Sequence, residues 1–181
     1  MELWEKTLES TTLYQGKILT LRRDRVALPS GREALREVVD HPGGVCILPV
    51  DKQGRLLFVR QYRYAYGQPL LELPAGKLEP GEEPYPAALR ELEEETGHTA
   101  ALLHPLGKVY PTPGCMNEVL HLYYADTLTE TAQHLDEDEF LNVEPIPLEQ
   151  AVRMALDGEI PDGKSQIALL KYTLLRQRGQ R

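Results

Sequence analysis

Residues Gly76 to His98 read G-K-L-E-P-G-E-E-P-Y-P-A-A-L-R-E-L-E-E-E-T-G-H. Gly76 to Pro80 predicts a turn. Pro84 and Pro86 stand where a helix begins, since proline is tolerated in a first turn. From Ala87 to Glu95 every residue is a good helix former, and Gly97 is a natural stop. Leu89, Leu92 and Thr96 mark the expected buried face. Glu91 and Glu95 are one turn apart, with Glu94 beside them, so two or three carboxylates share a face and repel one another. A divalent cation removes that repulsion, and Mg²⁺ favours a few carboxylates together with phosphate oxygens of a substrate. Arg90 on the same helix and Glu82 in the preceding loop form a candidate brace that keeps the carboxylates aimed.

An E-L-E-E-E run on a helix is ordinarily a solvated face; here the spacing argues otherwise. Gly76, Glu82, Arg90, Glu91, Leu92, Glu94, Glu95 and Gly97 fit G-x5-E-x7-R-E-U-x-E-E-x-G-U, where U is apolar. Seven invariant positions at about 7% usage give a chance match of roughly one in 10⁸ per starting point. The chain therefore resembles the Nudix hydrolases; only the last apolar position departs, being His98. The resemblance implies that Glu91 and Glu95 are metal ligands, with the backbone carbonyl of Ala75 as another and Glu94 close by as a further ligand or a catalytic helper. Gly76, Glu82, Arg90 and Gly97 are then structural members of the motif. The implied metal is Mg²⁺, or Mn²⁺.

The rest of the chain is consistent with one soluble enzyme. Of 181 residues, 41% are hydrophobic and 27% charged, enough for a sizeable core. A net charge of −8 argues against a nucleic-acid-binding surface. Two cysteines, Cys46 in the apolar run Gly44–Val50 and Cys115 in a Pro/Gly loop, suggest neither a disulfide framework nor a zinc site. The N-terminal M-E-L-W-E-K-T-L-E lacks an apolar leader, and no run approaches the ~20 apolar residues of a membrane span. A cytoplasmic protein is the expectation.

Strands are expected at Ile18–Leu28 and Ala34–Val39 as a hairpin about the turn Pro29–Arg32, and as a central strand at Gly44–Val50. Others are expected at Leu56–Tyr62, Leu70–Leu73, Leu102–Val109, Val119–Ala125 and Phe140–Ile146. Thr127–Asp138 reads as a polar loop. Helices are expected at Leu148–Leu156 and from the N-cap Asp162 to about Arg178, with Ile167, Leu170, Leu174 and Leu175 on one side. The fold class is α/β: a Nudix-type α/β/α sandwich with a mixed sheet, plus an N-terminal hairpin region. The expected division is residues 1–43 and 44–181.

Hydrolysing a diphosphate needs a deprotonated, oriented water, and a metal-bound carboxylate is a poor base. In relatives of the ADP-ribose pyrophosphatase branch the base comes from a loop followed by an apolar strand. Asp136-Glu137-Asp138-Glu139 before Phe140 resembles it, which implies Glu137 as general base and Glu139 as a metal ligand, or the two exchanged. Arg36-Glu37 with His41-Pro42-Gly43 resembles that branch's adenine-holding segment, Lys17 and Ile18 match a further adenine-side position, and Arg63 matches an arginine on the diphosphate. Pro113, sixteen residues beyond Gly97, matches the branch's marker, flanked by the ribose-side positions Thr112 and Glu118; Lys77 completes the substrate contacts. The resemblance also implies a homodimer with an exchanged N-terminal region. Three readings stay open: cleavage of ADP-ribose, cleavage of another nucleoside diphosphate sugar or damaged nucleotide, or a non-catalytic binding module.

Overall fold

The structure, a computed structural model, describes residues 3–137 and 139–179. By its internal contacts the chain divides into two units: 1–43 with 110–119, and 44–109 with 120–181. The first is built on three antiparallel strands, β1 (Lys6–Gln15), β2 (Thr20–Ala27) and β3 (Glu33–Asp40), in the order β1-β2-β3. The expected hairpin is β2–β3; β1 adds a third strand that its charged, weakly alternating sequence conceals. Residues 110–119 are tied to the end of β3. Val39 N donates to Cys115 O, Asn117 N donates to Val39 O, and Asn117 Nδ2 donates to Asp40 Oδ1 at 2.8 Å.

The second unit is organised on β4 (Gly44–Pro49), every residue of which is buried. Alternate side chains leave a strand on opposite faces. Val45 and Ile47 join one apolar cluster with Ala87, Ala88 and Leu92 of helix α1 (Pro84–Thr96). Cys46 and Leu48 join the other, with Ala151 of α2 (Leu148–Leu156) and Ala168, Leu169 and Tyr172 of α3 (Gly163–Gln177). A strand covered on both faces must be apolar throughout, and the two clusters are the two interfaces of an α/β/α sandwich.

Around β4 run β5 (Arg55–Arg63), β6 (Gln68–Glu72), β7 (Ala75–Lys77), β8 (His98–Ala100), β9 (His104–Val109), β10 (Leu120–Ala125), β11 (Leu128–Glu130) and β12 (Leu141–Pro147). One sheet has the order β7-β4-β10-β9 and is mixed: β10 is parallel to β4, while β7 and β9 pair antiparallel to their neighbours. A second has the order β12-β5-β6, and β8 pairs with β11. So the segment expected as a polar loop from Thr127 contains a short strand, and the last strand begins at Leu141, leaving Phe140 exposed.

Helix α3 turns a different side inward from the one its leucines suggest. Its buried residues are Ser165, Ala168, Leu169 and Tyr172, whereas Ile167, Leu170 and Leu174 are exposed; only Leu175 of the expected stripe packs on the core. Polar ties set this rotation. The N-cap Asp162 accepts from Ser165 N at 3.0 Å and Ser165 Oγ at 2.5 Å, and Ser165 Oγ accepts from Leu73 N at 2.7 Å. A buried backbone N–H must find an acceptor, so Ser165 is drawn inward and the helix turns with it.

Candidate active site

Helix α1 runs into its stop as its composition requires: Gly97 has φ 64°, and its N–H donates to Glu93 O at 2.8 Å. The face against β7 carries Glu91 and Glu95, both buried, at 8% and 2% exposure. Burial of two acids one turn apart is the feature that sets this helix apart from a solvated one. Gly76 permits it. A Cβ at Gly76 would occupy the space of the Glu91 carboxylate, so only glycine lets the helix acid lie against the β7 backbone. At the next residue back, Ala75 N donates to Glu95 Oε2 at 3.0 Å. Among the described residues nothing donates to Glu95 Oε1.

Arg90 braces the approach. Its Nε and Nη2 fork onto the two oxygens of Glu82, both at 2.9 Å, and its Nη1 donates to Glu91 Oε1 at 2.9 Å and Glu94 Oε2 at 2.8 Å. The loop 78–83 is thereby fastened to the helix, since Glu82 also accepts from Glu79 N. The fork holds Glu82 below the usual carboxylate range. Burial pushes Glu91 above it despite Arg90, with Glu94 and Glu139 adding to the rise. For Glu95, burial together with Glu91 and Glu139 pushes the carboxyl up to about 8, against the pull of Ala75 N–H and Arg63. Glu139 thus acts on both helix acids.

Its loop is anchored to the helix end by residues that the sequence did not single out. Gln133 Nε2 donates to Glu95 O at 2.6 Å, His134 N to Glu94 O at 3.1 Å and Thr131 N to Gly97 O at 2.7 Å. These are the carbonyls a helix leaves without partners at its C-terminus. The segment that caps them continues into Asp136 and Glu137, which is exposed, and then Glu139; Asp138 lies outside the described residues.

The other expected site residues divide between the units. In the second unit, Arg63 forks onto buried Glu72, with Nε to Oε1 at 2.7 Å and Nη2 to Oε2 at 2.8 Å, and Lys77 is exposed on β7. In the first, Lys17 and Ile18 form an exposed turn, Arg36 pairs with Glu5, and Glu37 is exposed on β3. His41 Nδ1 lies 3.4 Å from Glu118 Oε1, and Thr112 is exposed, its carbonyl accepting from Met116 N.

Among the described residues no three His, Cys, Asp or Glu side chains converge on one point. The donor chemistry nevertheless suits a hard divalent cation. The helix acids offer oxygen alone, they are buried, and among the described residues no cation bonds Glu95, so ionising both is costly there.

Residues 40–169 match the family described as the NUDIX domain, and residues 5–39 match one described as the nucleoside diphosphate sugar hydrolase N-terminal domain. The chain belongs to the Nudix hydrolases. Among its relatives is an ADP-ribose pyrophosphatase of Bacillus subtilis, 41% identical over 177 residues, covering 97% of this chain and 95% of that one. Another is a methanol dehydrogenase activator of Bacillus methanolicus, 39% identical over 175 residues, covering 96% and 94%. A crystal structure of an ADP compounds hydrolase superposes with a TM-score of 0.84 at 23% identity, covering 98% and 97%, and establishes the likeness of fold.

The raised carboxyl of Glu95 has a consequence for stability. An unfolded glutamate ionises near 4.5, the folded Glu95 near 8. Between these values the native state holds a proton the unfolded state lacks, so its contribution is full below pH 4.5 and is lost as pH rises towards 8. In chelator, wild type is expected to lose more stability than Glu95→Gln between pH 5 and 8, on the order of 1 kcal/mol or more. Denaturant melts of both proteins check this; parallel pH profiles would contradict it.

Proposed function

We propose that this chain hydrolyses the diphosphate of ADP-ribose to AMP and ribose 5-phosphate. The observation that carries hydrolysis over mere binding is the buried Glu91–Glu95 pair against Ala75 and Gly76, with its Arg90–Glu82 brace complete. A binding module has no need to bury two acids at one point. The 41% likeness to an ADP-ribose pyrophosphatase over nearly the whole chain supports the substrate.

Glu91, Glu95, Glu139 and the Ala75 carbonyl would hold Mg²⁺ or Mn²⁺. Such an ion neutralises the diphosphate and stabilises charge developing on the phosphorus oxygens and the leaving group. The chain's own groups supply the rest. Glu137, exposed in its loop and not a ligand, takes a proton from the attacking water, with Glu94 assisting from the helix. The water oxygen bonds to one phosphorus, the bridging P–O bond breaks, and the bridging oxygen leaves with the other phosphate. Arg63 pairs with the diphosphate as a planar fork. Arg36 and Glu37 hold adenine, with Lys17, Ile18 and His41 beside it; Thr112 and Glu118 contact the ribose, and Lys77 contributes a further substrate contact.

A second reading is cleavage of other nucleoside diphosphate sugars or of damaged nucleotides, its sugar half favoured by the match of residues 5–39. One panel separates the two. A carboxylate at Glu37 suits the amine of adenine and repels the carbonyl of guanine, so kcat/KM for ADP-ribose should exceed that for GDP-mannose by at least ~10²-fold. Glu37→Ala should narrow the gap by weakening ADP-ribose binding. Equal rates on both, or a preference for 8-oxo-dGTP, would replace the first reading with the second. In the same assay Glu137→Gln should fold normally and slow turnover on the order of 10²–10⁴-fold; a deep loss in Glu139→Gln alone would exchange the two roles.

The assembly proposed is a homodimer in which the region before Gly44 is exchanged. All ten residues of β1 are exposed, Leu8, Leu13 and Tyr14 among them, and β1 is the edge of its sheet. An edge strand with apolar residues and no cover is a template for another chain. Sedimentation should give a dimer; a monomer fully active at nanomolar concentration would rule it out. The compartment proposed is the cytoplasm, which both unpaired cysteines suit, and fractionation into the membrane pellet would oppose it. Among the described residues no helix is long and apolar enough to cross a membrane.

A further inference from the structure

The first turn of α3 buries charges that the reaction above does not use. Lys164, its side chain 13% exposed, donates to Glu72 Oε2 and lies 3.1 Å from Asp162 Oδ2. Glu72 is the most buried member, at 2% exposure. Its Oε2 therefore accepts from two cations, Lys164 on one side and Arg63 Nη2 on the other, while Oε1 accepts from Arg63 Nε. Two acids and two bases balance, and with Ser165 they link the start of α3 to Glu72 and Leu73, three and two residues before Ala75.

Arg63 is the one member that reaches out. Its side chain is 38% exposed, and among the described residues its Nη1 donates to nothing. Its charge is felt by Glu95, so its guanidinium lies within electrostatic reach of the carboxylate helix. One edge of the guanidinium is thus spent on Glu72, and the other is available.

Two physical requirements meet at Glu72. A two-bond fork demands that the carboxylate plane match the guanidinium plane, which a long glutamate side chain does not guarantee by itself. A buried carboxylate also needs more than a partly exposed partner to stay ionised, since an uncompensated buried charge is costly. A lysine reaching Oε2 from α3 meets both. It holds Oε2 alongside Arg63 Nη2, and its charge lets Arg63 turn its outer edge to a phosphate without leaving Glu72 alone.

We propose that Lys164 is a positioning residue for substrate binding, acting through Glu72 to hold Arg63 with its free N–H groups turned to the diphosphate. The proposal rests on the reading of Arg63 as a phosphate contact. A double-mutant cycle separates it from a merely structural tie between α3 and β6. Lys164→Met should raise KM about 10-fold with kcat within about 2-fold of wild type. In an Arg63→Gln background the same change should have no further effect on KM, and Lys164→Arg should recover most of the loss. If Lys164→Met does not fold, Lys164→Gln, which keeps a donor and drops the charge, is read in the same cycle.

An unchanged KM in a folded Lys164 variant, or effects of Lys164 and Arg63 that multiply independently, would overturn the proposal. The function reading fails separately, if wild type does not cut ADP-ribose. The cycle is then run on whichever nucleoside diphosphate sugar of the panel wild type does cut, since all share the diphosphate. A wild-type enzyme that cuts none overturns both.

Discussion

Two carboxylates buried against a strand backbone set the terms for the rest of this molecule. Glu91 and Glu95 lie on the inner face of α1, where an apolar pair would stabilise the unit more. Their burial is possible only because Gly76 has no side chain and because Ala75 N–H meets one oxygen of Glu95. The helix is held from several directions. Its apolar residues Ala87, Ala88 and Leu92 seat it on Val45 and Ile47 of β4. Arg90 and Glu82 tie its flank to the preceding loop, and Gln133 and His134 cap its C-terminal carbonyls. A site that must place charge to a fraction of an ångström is thereby built on rigid elements.

The unit uses charge in two ways. Around α1 the balance is left negative: one arginine serves Glu82, Glu91 and Glu94, and among the described residues nothing cationic bonds Glu95. Around α3 the balance is complete, with Arg63 and Lys164 against Glu72 and Asp162. The effect on the acids is opposite. Glu95 is pushed up to about 8, whereas for Glu72 burial is outweighed by its two cations and the carboxyl falls to about 2. Similar burial therefore yields one acid that keeps its proton to high pH and another that is a fixed anionic anchor. Cys46 senses both clusters but sits in the apolar core, where burial keeps its thiol protonated.

Much of this was legible beforehand. The limits of α1, the central strand and α2 follow from proline, glycine and apolar runs, which act locally. The box spacing named the family because it records a three-dimensional constraint, glycine opposite glutamate, in a fixed number of residues. Other features depend on partners distant in the chain. The short strands β8 and β11 are three residues each, too few for a period of two to emerge, and pair across some thirty residues. The rotation of α3 could not be read from its leucines because Ser165 and Lys164, which set it, act on Leu73 and Glu72. Arg63 is proposed as a phosphate contact on resemblance alone, and its bond to Glu72, like that of Lys164 to the same carboxylate, has no local signature.

The proposed role of Glu95 as a metal ligand is tested through its proton, which burial holds up to about pH 8. Binding of Mg²⁺ to such a group must release that proton. Calorimetric titration with Mg²⁺ at pH 7, in two buffers of different ionisation enthalpy, measures the release directly. The account predicts that wild type gives up about one proton per cation bound and that Glu95→Gln gives up fewer, Glu91 being the raised acid that remains. Cation binding by wild type with the same heat in both buffers would contradict it.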